Sequence, residues 1–295
     1  MDVVQALIRL GGLSTTREVV SLSSRAALRR AARDRRVVKL KAGSYALPDA
    51  DDALVAAHAL GGTVSLLSAA LHWGWKVRMP PKRPAVTLAR HRSLPDRGVE
   101  AEVRWANLGA DDVVDGVTSK LRTVVDCARW LPFPDGLSVA DSALRAGDLT
   151  KSQLLAAAEA SPRTGRPAAL RVARAADGRA ANPFESSLRA IALGVPGLRV
   201  EPQVPIGTVG HADLADERLR IAIEAESWEF HATREAFRYD VRRYTAFSRL
   251  DWLVVRFLWE DVMHRPELVH AILADVVRIR SPRLAVRASW GDVPA

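Results

Sequence analysis

Three carboxylates in the last third of the chain combine a type and a spacing that could do chemistry. Asp213 lies in the apolar segment His-Ala-Asp-Leu-Ala (211–215), and Glu224 and Glu226 lie in Arg-Ile-Ala-Ile-Glu-Ala-Glu-Ser (220–227). Glu224 and Glu226 are two apart, so on a strand both point to the same face. Burying several carboxylates together is costly unless a cation neutralises them. Mg²⁺ is held in this way, by one or two carboxylates plus water and phosphate oxygens. The pattern therefore points to a metal site for phosphodiester chemistry. Plainer roles fit the same residues: Asp213 as a cap or an arginine's partner, and Glu224 and Glu226 on a solvated strand face. Asp240 and Arg243, three apart on a helix, suit a local ion pair.

A second chemistry is carried by cations. Residues 23–41 hold Arg25, Arg29, Arg30, Arg33, Arg35, Arg36, Lys39 and Lys41 against one acid, Asp34. On a helix Arg25, Arg29 and Arg33 share one face, while Ala27, Leu28, Ala31 and Ala32 can turn to a core. Such a helix can enter a DNA major groove, with a basic hairpin on adjacent phosphates; a solvated basic helix is the alternative. Further along, Arg234, Arg238 and Arg242 recur every four residues, a stripe able to track a phosphate backbone or simply face water.

The elements that must position these groups follow from apolar spacing and capping residues. Val3–Leu10 reads as a helix ended by Gly11-Gly12. Ser14 or Thr15 can cap a second helix, and Ser23 or Ser24 a third. Val37–Leu40 and Tyr45–Leu47 then read as strands around a turn, the order of a winged helix-turn-helix over residues 1–50. Residues 51–160 form an α+β middle region: two helices split by Gly61-Gly62, strands at 85–91 and 99–105 joined by a turn at 95–98, and further helices from Ser119. His58 and His72 are isolated on apolar helices, and Cys127 sits in an apolar run, where core roles suit them. Ser161–Pro167 and Asp177-Gly178-Arg179 make 161–180 the expected interdomain linker. From Asn182-Pro183 the order is helix, strands at 200–204, 210–214 and 219–226, a helix at 233–250, a strand at 252–257, and a helix from Pro266. That order predicts a compact α/β domain with a central mixed sheet over 181–280, and a tail at 281–295.

Bulk composition narrows the partners. The 295 residues are 48% hydrophobic and 26% charged, ordinary for a soluble globular protein. A formal net charge of +9 makes polyanions the expected partners. A lone cysteine suits a reducing compartment. No run of ~18 uninterrupted apolar residues occurs and no basic-then-apolar signal opens the chain, so a cytoplasmic protein with no membrane partner is expected.

Residues 13–47, with the closing Gly43-Ser44-Tyr45, resemble the winged-helix N-terminal domain of AbiEi-family antitoxins. Val117-Thr118 before Arg122-Thr123 and Asp126 also matches the middle of such chains. This resemblance implies binding to double-stranded DNA and a cognate toxin protein as a second candidate partner. The last third, through His-Ala-Asp-Leu-Ala, Ile-Ala-Ile-Glu-Ala-Glu-Ser, Phe-Arg-Tyr-Asp-Val-Arg-Arg-Tyr and Asp-Trp-Leu-Val-Val-Arg-Phe-Leu, resembles very-short-patch-repair-like endonuclease domains of the PD-(D/E)XK superfamily. Carried over, Asp213 and Glu224 match the acidic metal-site positions, and Glu185 matches the helical glutamate that often accompanies them. Glu226 stands where the superfamily has lysine, followed by Ser227 and the bulky Trp228 instead of the usual glycine. His231 stands where relatives place a histidine, and Asp240 with Arg243 matches their Asp-x-x-Arg. The implied mechanism has Asp213 and Glu224, with Glu226 as a further candidate, holding Mg²⁺, and His231 as general base or leaving-group partner. The whole is thus expected to be a multi-domain α/β protein that binds DNA as an antitoxin-like regulator, or cuts it as a Mg²⁺-dependent endonuclease.

Overall fold

Short polar caps start each of the first helices. The computed structural model describes residues 1–10, 12–40, 43–94, 98–226 and 234–290. Asp2 caps α1 (Val3–Arg9), its side chain accepting from the Val4 amide. After a turn at Gly12, whose φ of 85° favours glycine, comes β1 (Leu13–Thr15). Thr15 caps α2 (Thr16–Leu22) in a capping box with Glu18. The Glu18 carboxylate accepts from the Ser14 and Thr15 hydroxyls at 2.6 and 2.7 Å, and these bonds hold its pKa down to about 2. Ser24 caps α3 (Arg25–Arg33). The chain returns through β2 (Val38–Lys39) and β3 (Ser44–Ala46), and β3 pairs antiparallel with both β1 and β2. Val3, Leu7, Val19, Leu28, Val37 and Tyr45 bury against one another to close this layer.

The following segment builds a five-stranded mixed sheet. Its elements are α4 (Asp52–Leu60), β4 (Thr63–Val64), α5 (Leu66–His72), β5 (Ala85–Leu88), β6 (Glu102–Trp105), β7 (Val113–Val114) and β8 (Val117–Thr118), with strand order β6-β5-β4-β8-β7. The strands at 85–91 and 99–105 were expected to meet through a turn, but β5 and β6 pair in parallel. Parallel neighbours need a crossover of about a dozen residues, which the connection 89–101 supplies. Arg92 pins that return, donating to the Gly61 carbonyl at 2.8 Å while its own carbonyl accepts from the Trp105 indole at 2.9 Å.

The chain divides into two compact units, Met1–Trp75 with Met79–Cys127, and Lys76–Arg78 with Ala128–Ala295. The division falls within α6 (Lys120–Trp130) rather than at 161–180. In the second unit come α7 (Phe133–Arg145), α8 (Lys151–Ala160), α9 (Arg166–Ala175) and α10 (Pro183–Ala192). The stretch read as a linker is therefore a tight turn plus most of a helix. Gly165, at φ 79°, makes the turn, and Ala169, Val172 and Ala173 of α9 are buried. Pro167 marks a helix start, not a flexible joint.

After α10 the chain forms β9 (Glu201–Ile206), β10 (Gly210–Asp216), β11 (Ile221–Glu226), α11 (Arg234–Arg249), β12 (Leu253–Leu258), α12 (Trp259–His264) and α13 (Pro266–Trp290). The sheet order is β12-β11-β10-β9; the two β10 pairings are antiparallel and β11 with β12 is parallel, so the sheet is mixed as expected. One face, with Leu214, Ile221, Ile223 and Phe257, packs on Leu188, Val269 and Leu273 of the flanking helices. The other face, with Ala212 and Ala222, packs on Phe247 of α11. Helix α13 runs on to Trp290, so the expected tail from 281 is helical over that span.

One buried ion pair joins the helices of this unit. Arg189 of α10 donates to the Asp141 carboxylate of α7 at 2.5 Å, and both side chains are almost wholly buried. Asp141 also accepts from the Ser186 hydroxyl at 2.7 Å and the Asp177 amide at 2.8 Å. Removing one partner strands a buried charge, so Arg189→Met is expected to lower unfolding free energy by ~3–5 kcal/mol. Urea denaturation of the variant and of Arg189→Met with Asp141→Leu checks this; the double variant should recover part of the loss.

Candidate functional site: a buried carboxylate cluster

The cluster forms because β10 breaks its own alternation. Ala212 and Ala215 both pack on the α11 side although they are three apart, while Leu214 packs on the opposite face. Strict alternation cannot give that pattern, so the strand turns over at Asp213. Across the sheet, between the paired positions Val204 and Pro202, Gln203 carries a φ of 53°. On β11 the paired register ends at Leu214↔Ile223, and Asp213 follows it next to the Glu224 charge. The Ala225 amide donates to Asp213 Oδ2 at 2.8 Å.

Glu185 reaches the same place from the first turn of α10. Asn182 caps that helix, its Oδ1 accepting from the Phe184 and Glu185 amides at 2.9 and 3.0 Å. The Glu185 carboxylate accepts from the Ala181 amide at 2.8 Å, Asn182 Nδ2 at 2.9 Å and Gln203 Nε2 at 3.0 Å. The Gln203 side chain also helps hold down the Asp213 pKa, so it lies between the two acids.

Helix α11 and strand β12 bring the countercharge. Arg243 donates to Glu224 Oε2 at 2.9 Å and to the His211 carbonyl at 3.1 Å, and lies 3.8 Å from Asp240. Glu226 Oε1 accepts from the Tyr244 hydroxyl and from Arg256 Nε, the latter at 2.8 Å. Glu224 and Glu226 are 2% and 6% exposed, which rules out a solvated strand face. Glu224 Oε1 is buried with no hydrogen-bond partner among the described residues.

The electrostatics follow from this crowding. Burial, then the Asp213 charge, push Glu224 up to about 8 against the pull of Arg243. Burial and Asp213 push Glu185 up to about 7. Asp213 itself is raised, by burial, against the Ala225 amide and Arg243. At neutral pH the cluster thus retains protons that a cation could replace. Among the described residues no three His, Cys, Asp or Glu side chains form a ready cation cage. The donor set that suits Mg²⁺ is the pair Asp213 and Glu224, because the orphaned Glu224 oxygen has no other bond to make and hard oxygen ligands plus water complete such sites.

The other predicted site residues divide. Arg25, Arg29, Arg30 and Arg33 are exposed on α3 with no ion pair among the described residues, and Lys39 is exposed on β2. Arg36 is tied to Asp2 at 3.0 Å. Arg238 and Arg242 are exposed on α11. His231, Trp228 and Lys41 lie outside the described residues, as does the side chain of Arg234. Sequence reasoning missed Gln203, Tyr244 and Arg256. Arg256, a cation inside the apolar run Leu253–Leu258, was the available signal; nothing marked Gln203.

Fold and site together define a mixed α/β protein of two units with a buried carboxylate–arginine cluster in the second. Over 199 residues the chain is 32% identical to uncharacterized protein Rv2248 of Mycobacterium tuberculosis (strain ATCC 25618 / H37Rv), covering 65% of this chain and 69% of the relative. Uncharacterized protein MT2308 of Mycobacterium tuberculosis (strain CDC 1551 / Oshkosh) matches to the same extent. The chain belongs to the family of these two proteins. No family model matches it. The crystal structure of RV2827C protein from Mycobacterium tuberculosis is similar over 64% of this chain and 79% of that chain, at 18% identity and a TM-score of 0.36. No helix among the described residues is long and apolar enough to cross a membrane.

A carboxyl whose folded pKa lies above its unfolded value binds its proton more tightly when folded, so the stability it adds is full below the unfolded value and fades as pH rises through the folded one. For Glu224 that window runs from 4.5 to about 8. The melting temperature in chelator is therefore expected to fall between pH 5 and pH 8.5, with a shallower fall in Glu224→Gln. Calorimetry across that range reads both slopes, and equal slopes would remove Glu224 as their cause.

Proposed function

We propose that this chain is a DNA-binding protein, an antitoxin-like transcriptional regulator with an N-terminal winged helix-turn-helix and a restriction-endonuclease-like C-terminal domain. The observation that carries this reading is the outer face of α3, where Arg25, Arg29, Arg30 and Arg33 are exposed and free of acidic partners among the described residues. The order α1, β1, α2, α3, β2, β3, with β3 between the other strands, is that of a winged helix, whose third helix enters the major groove. Arginines so placed can neutralise phosphates or read guanine edges. An antitoxin-like role would make a toxin protein the second partner.

A second reading is a Mg²⁺-dependent endonuclease, and the unpartnered Glu224 oxygen beside Asp213 favours it. In that reading Mg²⁺ would polarise the scissile phosphate and lower the pKa of an attacking water. Arg243 holds one Glu224 oxygen and leaves the other for the ion, and the Gln203 amide donates to Glu185. Glu185, raised to about 7, is able to hold or release a proton near neutrality. Glu226 is spent on Tyr244 and Arg256 and fits an anchoring role.

Arg29→Ala with Arg33→Ala is expected to weaken binding to duplex DNA and to reduce the slope of log K against log salt by about 2, one per lost phosphate contact. Gel shifts at several salt concentrations measure both; unchanged affinity would remove α3 as the DNA-contacting helix. With Mg²⁺ or Mn²⁺, nicking of supercoiled plasmid that Asp213→Ala or Glu224→Ala abolishes would establish the nuclease reading. A wild-type protein that binds but never cuts leaves the regulator reading alone.

A further inference from the structure

A cavity of about 740 Å³ opens in the first unit, and none of its lining residues belongs to the carboxylate cluster or to α3. That volume is in the range of small-molecule sites, which are typically concave and apolar with a few convergent polar groups. Its wall mixes apolar and polar surface in similar measure. Ile8 and Leu10 come from the end of α1, Leu13 from β1, and Leu54 and Ala57 from α4. Four polar residues share the lining: Arg9, His58, His72 and Asp115.

Three of those four carry N–H donors. Arg9 is exposed in the last turn of α1 with no ion pair among the described residues. The His58 ring is fixed by a 2.5 Å hydrogen bond to the Ser44 hydroxyl of β3. The His72 Nδ1 lies 3.8 Å from the Asp51 carboxylate, beyond hydrogen-bond distance. Asp115, at the tip of the β7–β8 turn with φ 49°, adds one acceptor, and the Gly116 that follows has φ 81°. Two successive positive φ values are the mark of a type I′ hairpin turn, which sets the Asp115 position firmly. The guanidinium is the strongest donor among them, and carboxylate is one of the groups, with phosphate, whose geometry a planar fork of N–H donors matches.

We propose that this cavity binds a small organic carboxylate with an apolar ring or chain, its carboxylate on Arg9 and an imidazole N–H, its apolar body on Ile8, Leu13 and Leu54. This goes beyond the DNA-binding and nuclease readings and does not depend on either. The motifs that suggested those readings left His58 and His72 as ordinary histidines; their meeting in one cavity with Arg9 is a product of tertiary structure.

Isothermal titration calorimetry of the full chain with sodium 2-naphthoate tests it, with neutral 2-naphthalenemethanol as comparison. Saturable binding of one naphthoate per chain, weaker binding of the alcohol, and a loss of about tenfold in affinity in Arg9→Ala are expected. Arg9 is exposed, so the variant should melt as the wild type does; Ile8→Glu, also at an exposed position, places a negative charge at the mouth and should abolish binding. No saturable heat with wild type, equal affinity for acid and alcohol, or binding unaffected by both substitutions would overturn the proposal. Concentration-dependent self-association that Ile8→Glu abolishes would also overturn it, by making the cavity a contact between copies of the chain.

Discussion

Burying Glu224 and Glu226 on one strand, with Asp213 and Glu185 adjoining, is tolerable only because Arg243 and Arg256 stand against them. That constraint organises the second unit. Arg243 must reach Glu224, so α11 must lie across the sheet face that bears Ala222, and Phe247 one turn further on seals that face. The helix is also the connection that lets β11 and β12 run parallel. Burial first, and the Asp213 charge second, are why Glu224 and Glu185 hold protons toward neutrality.

Behind that cluster stands a second buried charge pair with a different task. Asp141 and Arg189 are further bonded by Ser186, the Asp177 amide and the Ala175 carbonyl, and Arg189 Nε stays buried without a hydrogen-bond partner among the described residues. They register α10 against α7 and the end of α9, and α10 carries Glu185. The position of an acid in the site therefore rests on an ion pair that itself does no chemistry. Neither member announces itself in the sequence, because the two partners are 48 residues apart.

The first unit shows the opposite economy. Its arginines on α3 are left without acidic partners among the described residues, and its helices are held by local caps and a small apolar core. Cations kept solvated and unpaired remain available to a polyanion at little desolvation cost. Past the end of α3, Arg36 is drawn to the Asp2 cap of α1, and later in the unit Arg122 pairs with Asp112 and Asp126.

Sequence alone determined what depends on neighbours a few residues away. The helices at 3–9, 16–22, 25–33 and 183–192 begin at the Asp, Thr, Ser and Asn caps, and the strands of the last domain lie within a residue or two of their expected ends. The pairing of Glu224 and Glu226 on one face followed from strand period, and their cost if buried followed from charge. Tertiary structure decided the rest. Pro and Gly at 161–167 end and start helices with equal ease whether or not a domain boundary lies there, so the linker proved to be a packed turn and the division fell inside α6. Parallel or antiparallel pairing of β5 and β6 depends on where a connection travels, which alternation cannot report. Gln203, Tyr244 and Arg256 joined the site only when distant strands and a helix met, because each is an ordinary polar residue until the fold places a buried carboxylate beside it.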